Sequence, residues 1–107
     1  MTKKDTNIAG LIRSRIKKQD PNAEVILFGS HARGQASDES DWDILILIDH
    51  PKKNRAMENK YRDELFMLEL EIGEPISTFV YSKSDWETKY LHTPLYQNIK
   101  NEGLLLA

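Results

Sequence analysis

Residues 24–49 read EVILFGSHARGQASDESDWDILILID, and this stretch decides the fold. Glu24 to Phe28 is a short apolar run rich in β-formers, the pattern of a buried strand. It stops at Gly29-Ser30. Residues 31–35 suit one turn of helix, closed by Gly34. Asp41 to Asp49 then reads as a second strand. On a period of two, Asp41, Asp43, Leu45 and Leu47 share one face, and Trp42, Ile44, Ile46 and Ile48 share the other. Both faces are apolar beyond Asp43, which predicts a central position in the sheet.

Upstream, Ile8, Leu11, Ile12 and Ile16 recur at helical spacing, so residues 6–18 are expected to form an amphipathic helix. Asp20-Pro21-Asn22 ends it. Downstream, Pro51 to Lys53 is a loop. Met57, Tyr61, Leu65, Leu68 and Ile72 then mark a second long helix that stops at Gly73. Pro75 to Tyr81 predicts a third strand. Ser82 suits an N-cap, with Asp85 three residues on, for a short helix whose Trp86 anchors it to the core. Pro94 opens a last helix through Asn101, and Gly103 closes it. Leu104 to Leu106 suits a short strand or a docking tail. The expected class is α/β or α+β: one domain over residues 1–107, with a small mixed sheet and helices packed on it.

Composition narrows the chemistry. With 107 residues, 39% of them hydrophobic, the chain can bury one modest core. A net charge of -2 argues against a strongly basic nucleic-acid binder. The sequence has no cysteine, which removes disulfides, zinc thiolates and thiol catalysis. The longest apolar run, Ile44 to Ile48, is too short to span a membrane, and a cytoplasmic setting is expected.

The candidate site lies in residues 29–43. A glycine-serine turn after a buried strand lets backbone N–H groups approach a phosphate, and Ser30 adds a hydroxyl. Many strands end in Gly-Ser from turn preference alone, so the turn needs its neighbours. Asp41 and Asp43 stand on one strand face, about 6–7 Å apart at Cα, and can converge on a hard cation such as Mg²⁺. A solvated strand end is the plain alternative. Arg33 either clamps phosphate or pairs with an acid to brace the loop, and bracing weighs more. His31 reads as a surface histidine and Trp42 as core. Lys52, Lys53, Arg55, Lys60 and Arg62 interleave with Glu58, Asp63 and Glu64, as on a solvated helix face.

Taken jointly, Gly29-Ser30-His31-Ala32-Arg33-Gly34 followed by Ser40-Asp41-Trp42-Asp43-Ile44 resembles the signature of the DNA polymerase β-like nucleotidyltransferase superfamily, and the size resembles its minimal, antitoxin-like members. The resemblance covers most of the chain. It implies the polymerase β-like fold and transfer of a nucleoside monophosphate from a triphosphate to an acceptor hydroxyl, with release of pyrophosphate. It implies Asp41 and Asp43 as catalytic metal ligands for Mg²⁺, and Gly29, Ser30 and Arg33 as nucleotide-binding residues. It also implies a helical HEPN-type toxin as partner, with a protein or an RNA as acceptor.

The chain departs from that pattern on the third strand. Active members carry a third carboxylate there, facing the pair. Residues 76–80, Ile-Ser-Thr-Phe-Val, offer none; its expected place is Ser77, or Phe79 on another alignment. Glu74 stands just before the strand as a substitute, while Glu69 and Glu71 read as helix surface. Larger relatives also append a helical domain, so the acceptor here comes from a partner or a second copy. An impaired nucleotide-binding module, or an antitoxin acting by contact alone, therefore stands beside the enzyme.

Overall fold

The computed structural model describes residues 2–37, 39–50 and 54–107. The chain runs α1 (Lys3–Gln19), β1 (Glu24–Phe28), α2 (Ser30–Arg33), β2 (Trp42–Ile48), α3 (Arg55–Ile72), β3 (Ile76–Ser82), α4 (Lys83–Thr88), α5 (Pro94–Glu102) and β4 (Leu104–Leu105). The expected loop at residues 51–53 lies outside the described residues, as do Lys52 and Lys53 of the charged cluster.

The four strands form one mixed sheet in the order β3-β2-β1-β4. β2 is central, antiparallel to β1 and parallel to β3. β2, α3 and β3 thus form a βαβ unit, in which a long helix carries the chain between parallel strands. The tail settles as the short strand β4 on the free edge of β1, and Leu106 N–H donates to the Val25 carbonyl at 2.7 Å.

Three layers result. α1 and α3 cover one face of the sheet, where Ile12, Ile16, Val25, Leu27, Trp42, Ile44, Ile46, Leu65 and Leu68 are buried together. α4 and α5 cover the other, where Phe28, Leu45 and Leu47 meet Trp86, Tyr96 and Ile99. The alternation read for β2 holds: its even-numbered residues face the first layer, and Leu45 and Leu47 the second.

Local sequence explains the boundaries. α1 begins at Lys3, three residues earlier than its apolar period, because Thr2 and Asp5 form a capping box. Its buried stripe is Ile8, Ala9, Ile12 and Ile16. Leu11, expected on that face, is exposed. At 100° per residue it lies about 110° from the centre of the stripe. Asn54 caps α3, and Gly73 ends it at φ 72°, a left-handed conformation that favours glycine. Ser82 Oγ accepts from Asp85 N–H at 3.1 Å, the expected cap of α4. Thr93 caps α5, with Pro94 in its first turn. Arg55 and Lys60 are exposed, and Arg62 pairs with Glu58 at 2.7 Å, as on a solvated face.

One polar contact ties α3 to the end of α1. Tyr61 is buried and donates its hydroxyl to Asp20 Oδ2 at 2.7 Å. Burial, then the bond to Asp20, raises the Tyr61 pKa, so the hydroxyl stays protonated. Tyr61→Phe deletes the donor and keeps the ring. A loss of about 1 kcal/mol is expected, read as a melting temperature several degrees lower. An unchanged melting temperature would show that water replaces the bond at no cost.

Candidate functional site

The site grows from the end of β1. Gly29 is buried, with φ 78° and ψ -159°, a backbone state that L side chains rarely adopt. A Cβ there would sit 2.1 Å from Asp43 Oδ2. The hydrogen in place of a side chain is what admits the Asp43 carboxylate. Sheet register delivers the acid, since Phe28 pairs with Asp43 across the antiparallel ladder.

Ser30 opens α2 directly after this contact and is half-buried. No side chain caps the amino end of α2. Its closing turn is made by Gly34 at φ 72°, with Gln35 N–H donating to the Ser30 carbonyl at 2.9 Å.

Asp41 is exposed and sits one residue before β2, outside the ladder. Its Oδ2 accepts from the Ser77 hydroxyl at 2.9 Å. Ser77 is the residue that pairs with Asp43 in the parallel register, while Phe79 pairs with Leu45. Of the two expected places, Ser77 is thus the one beside the acid pair, and it offers a hydrogen-bond donor there.

Glu74 does not substitute for that carboxylate. Its Oε1 accepts from the Trp42 indole at 3.2 Å, and its other oxygen lies 3.1 Å from Lys4 Nζ. Pro75 N-terminal to the strand helps turn it that way, since the Pro75 carbonyl receives Trp42 N–H at 2.9 Å. Glu69, expected on the helix surface, is half-buried because its Oε1 accepts from Ile76 N–H at 2.7 Å at the start of β3. Glu71 is exposed and pairs with Arg15.

His31 corrects the surface reading. It is 5% exposed and stacks on Trp42, with ring centroids 3.9 Å apart and planes 13° from parallel. The side chain follows the first turn of α2 inward, because Trp42 leaves a flat apolar face beneath that turn. Its Nε2 lies 3.3 Å from the Ser40 carbonyl, which places the ring proton on Nε2. Trp42 itself is fully buried, as its alternation with the acids implies.

Arg33 makes bracing contacts: Nη1 to Glu102 Oε2 at 2.8 Å, and Nε to Gln35 Oε1 at 3.1 Å. Glu102 is the residue that sequence reasoning missed. It ends α5, and the pairing of Leu104 with Leu27 brings it to the same end of the sheet as Gly29. A two-residue strand leaves too little pattern to reveal that pairing in advance.

The charges converge on Asp43. Burial raises its pKa, and the Asp41 charge adds to this; His31 and Arg33 pull the other way, and Glu102 raises it again. A native carboxyl that holds its proton more tightly than the unfolded chain destabilises the fold once ionised. The penalty is absent below the ordinary carboxylate range and complete above the native pKa. Asp43→Asn should therefore melt above wild type at neutral pH, with the difference shrinking on acidification. Melting curves across pH 3–8 read it; a variant no more stable at neutral pH would overturn the argument. Gly29→Ala should lose about 2 kcal/mol or more, and adding Asp43→Ala should recover part of the loss. A Gly29→Ala protein melting like wild type would contradict the contact.

Among curated proteins, none matches the sequence closely enough to count. Two solved structures resemble the fold. A crystal structure of a toxin–antitoxin with AMP-PNP superposes with a TM-score of 0.68 at 18% identity, covering 92% of this chain and 72% of that one. A mutant of the toxin–antitoxin MntA–HpeT superposes with a TM-score of 0.60 at 18% identity, covering 96% and 72%. The model of the nucleotidyltransferase domain family matches residues 10–106, which include Gly29, Ser30, Arg33, Asp41 and Asp43, and the chain belongs to that family.

Proposed function

We propose that residues 1–107 act as a single minimal nucleotidyltransferase domain that binds a nucleoside triphosphate with Mg²⁺ and transfers the nucleoside monophosphate to a protein or RNA hydroxyl. In the transfer, the acceptor oxygen bonds the α-phosphorus, the bond to pyrophosphate breaks, and the hydroxyl proton leaves to solvent. The observation that carries this reading is the contact of the Asp43 carboxylate with Gly29. It sets an acid against a turn whose helix end no side chain caps.

Nucleotidyltransferases generally use a divalent metal, and the donor set here fits one. Burial raises the Asp43 pKa and the neighbouring Asp41 charge raises it further, a repulsion that a cation relieves. Among the described residues, no three His, Asp or Glu side chains form a ligand cluster. Mg²⁺ takes a couple of carboxylates and completes its shell with phosphate oxygens and water. Asp41 and Asp43 would hold it, and it would supply charge neutralisation on the phosphates. Gly29 and Ser30 would cradle the triphosphate. Arg33, braced on Glu102 while its charge acts on Asp43, would join them.

The partner in this proposal is a helical HEPN-type toxin, with this chain as its antitoxin, in the cytoplasm. The two fold neighbours described as toxin–antitoxins support it, as does the AMP-PNP held by one of them. A second copy of the chain could also present the acceptor. Among the described residues, no helix is long and apolar enough to cross a membrane.

Labelled triphosphates, Mg²⁺ and a helical protein encoded beside this chain test the enzyme reading. Label should reach an acceptor with wild type and fall by about a hundredfold or more with Asp43→Ala. No label with either protein would sink it. Ser77 in place of a carboxylate favours a second reading, neutralisation by contact alone. In that case Asp41→Ala and Asp43→Ala should still silence the toxin.

A further inference from the structure

Asp41 is the less secured of the two acids. It is exposed, it lies outside the β2 ladder, and its side chain has the Ser77 hydroxyl at 2.9 Å as its hydrogen-bond partner. It carries the same charge as Asp43. A like-charged residue tends to relax outward, so the backbone on both sides of it must be held; Ser40 is tied to Ser37 on one side, its N–H donating to the Ser37 carbonyl at 3.1 Å.

Two side chains from outside the loop add to this, His31 and Glu74. His31 Nε2 donates to the carbonyl of Ser40, immediately before Asp41, at 3.3 Å. The same ring stacks on Trp42, immediately after Asp41, at 3.9 Å. Glu74 takes the far edge of that indole at 3.2 Å, while Pro75 takes Trp42 N–H at 2.9 Å. Residues 40–42 are therefore gripped from α2 on one side and from the start of β3 on the other. Both His31 and Trp42 are buried, so the grip is shielded from competing water.

From this geometry we propose that His31 and Glu74 are positioning residues, which act through Ser40 and Trp42 to hold Asp41 beside Asp43 against their mutual repulsion. The inference rests on the proposed Mg²⁺–triphosphate site and deepens it. In this reading neither residue is a ligand of the metal or of the nucleotide. Holding the pair in place before the cation arrives removes a reorganisation that metal binding would otherwise have to drive.

The test is calorimetric titration of ATP at graded Mg²⁺ concentration and with Mg²⁺ chelated. The proteins are wild type, His31→Phe, His31→Ala, Glu74→Ala and Glu74→Gln, each checked by circular dichroism melting. His31→Phe keeps an aromatic face on Trp42 and drops the bond to Ser40. Glu74→Gln keeps an acceptor for the indole. His31→Ala and Glu74→Ala should raise the Mg²⁺ concentration for half-saturation roughly tenfold. His31→Phe should fall between them and wild type, and Glu74→Gln should stay near wild type. Binding in chelator should not change, which separates positioning from a general loss of structure. If His31→Ala does not fold, Glu74→Ala and His31→Phe carry the test. Folded variants with wild-type Mg²⁺ dependence overturn the inference alone. A wild type with no Mg²⁺-dependent ATP binding overturns the proposed site, and the inference falls with it.

Discussion

The carboxylate of Asp43 lies against the bare Cα of Gly29, and the architecture at this end of the sheet follows from that contact. It requires β1 and β2 to be antiparallel neighbours in a register that sets Phe28 opposite Asp43. It requires Gly29 to hold a positive φ, which turns the chain straight into α2. It also requires a half-buried acid to remain beside a second acid. Burial and repulsion both oppose ionisation there. A residue placed for stability alone would not be an aspartate.

That tension organises the surrounding side chains. Ser77 donates to Asp41, Arg33 turns to Glu102, and His31 and Glu74 clasp Trp42 between the two acids. The Ser77 hydroxyl limits the cost of gathering negative charge, whereas Glu102 adds to it at Asp43. Exposed ion pairs such as Arg33 with Glu102 contribute little to stability by themselves. Their effect here is geometric, since Glu102 and Gln35 together fix the direction of the Arg33 guanidinium.

Most of the fold was legible because its signals are periodic. The alternation through residues 42–48 announced a central strand with two buried faces, and the apolar repeat from Met57 to Ile72 announced α3. What escaped was aperiodic. The capping box at Thr2 begins a polar turn without apolar repeat, so α1 was read three residues short. Leu11 matched the spacing but fell on the wrong flank of the stripe. In the candidate site, the glycine, the serine and the acid pair were readable from local order. His31 was not, because a histidine becomes core only when a flat partner lies beneath it, and that partner is 11 positions on in sequence. Glu102 was hidden for a similar reason: its place depends on a two-residue strand pairing with β1.

Ser77 bears most directly on how far the family chemistry extends to this chain. A carboxylate there would stand opposite Asp43 in the register and add a third negative charge to a pair that already repels. A serine instead donates to Asp41 and offsets part of its charge. The substitution trades an acceptor for a donor at one position. It makes the acid pair less costly to hold and leaves the position without the carboxylate expected there. In the proposed reading, binding of a metal–triphosphate draws on the pair and the turn, whereas transfer also draws on activation of the acceptor. Under the proposed function the two demands would rest on different residues, so binding could be kept where transfer is slow. A partner protein that brought its own base to the acceptor would restore the second without any change to the first.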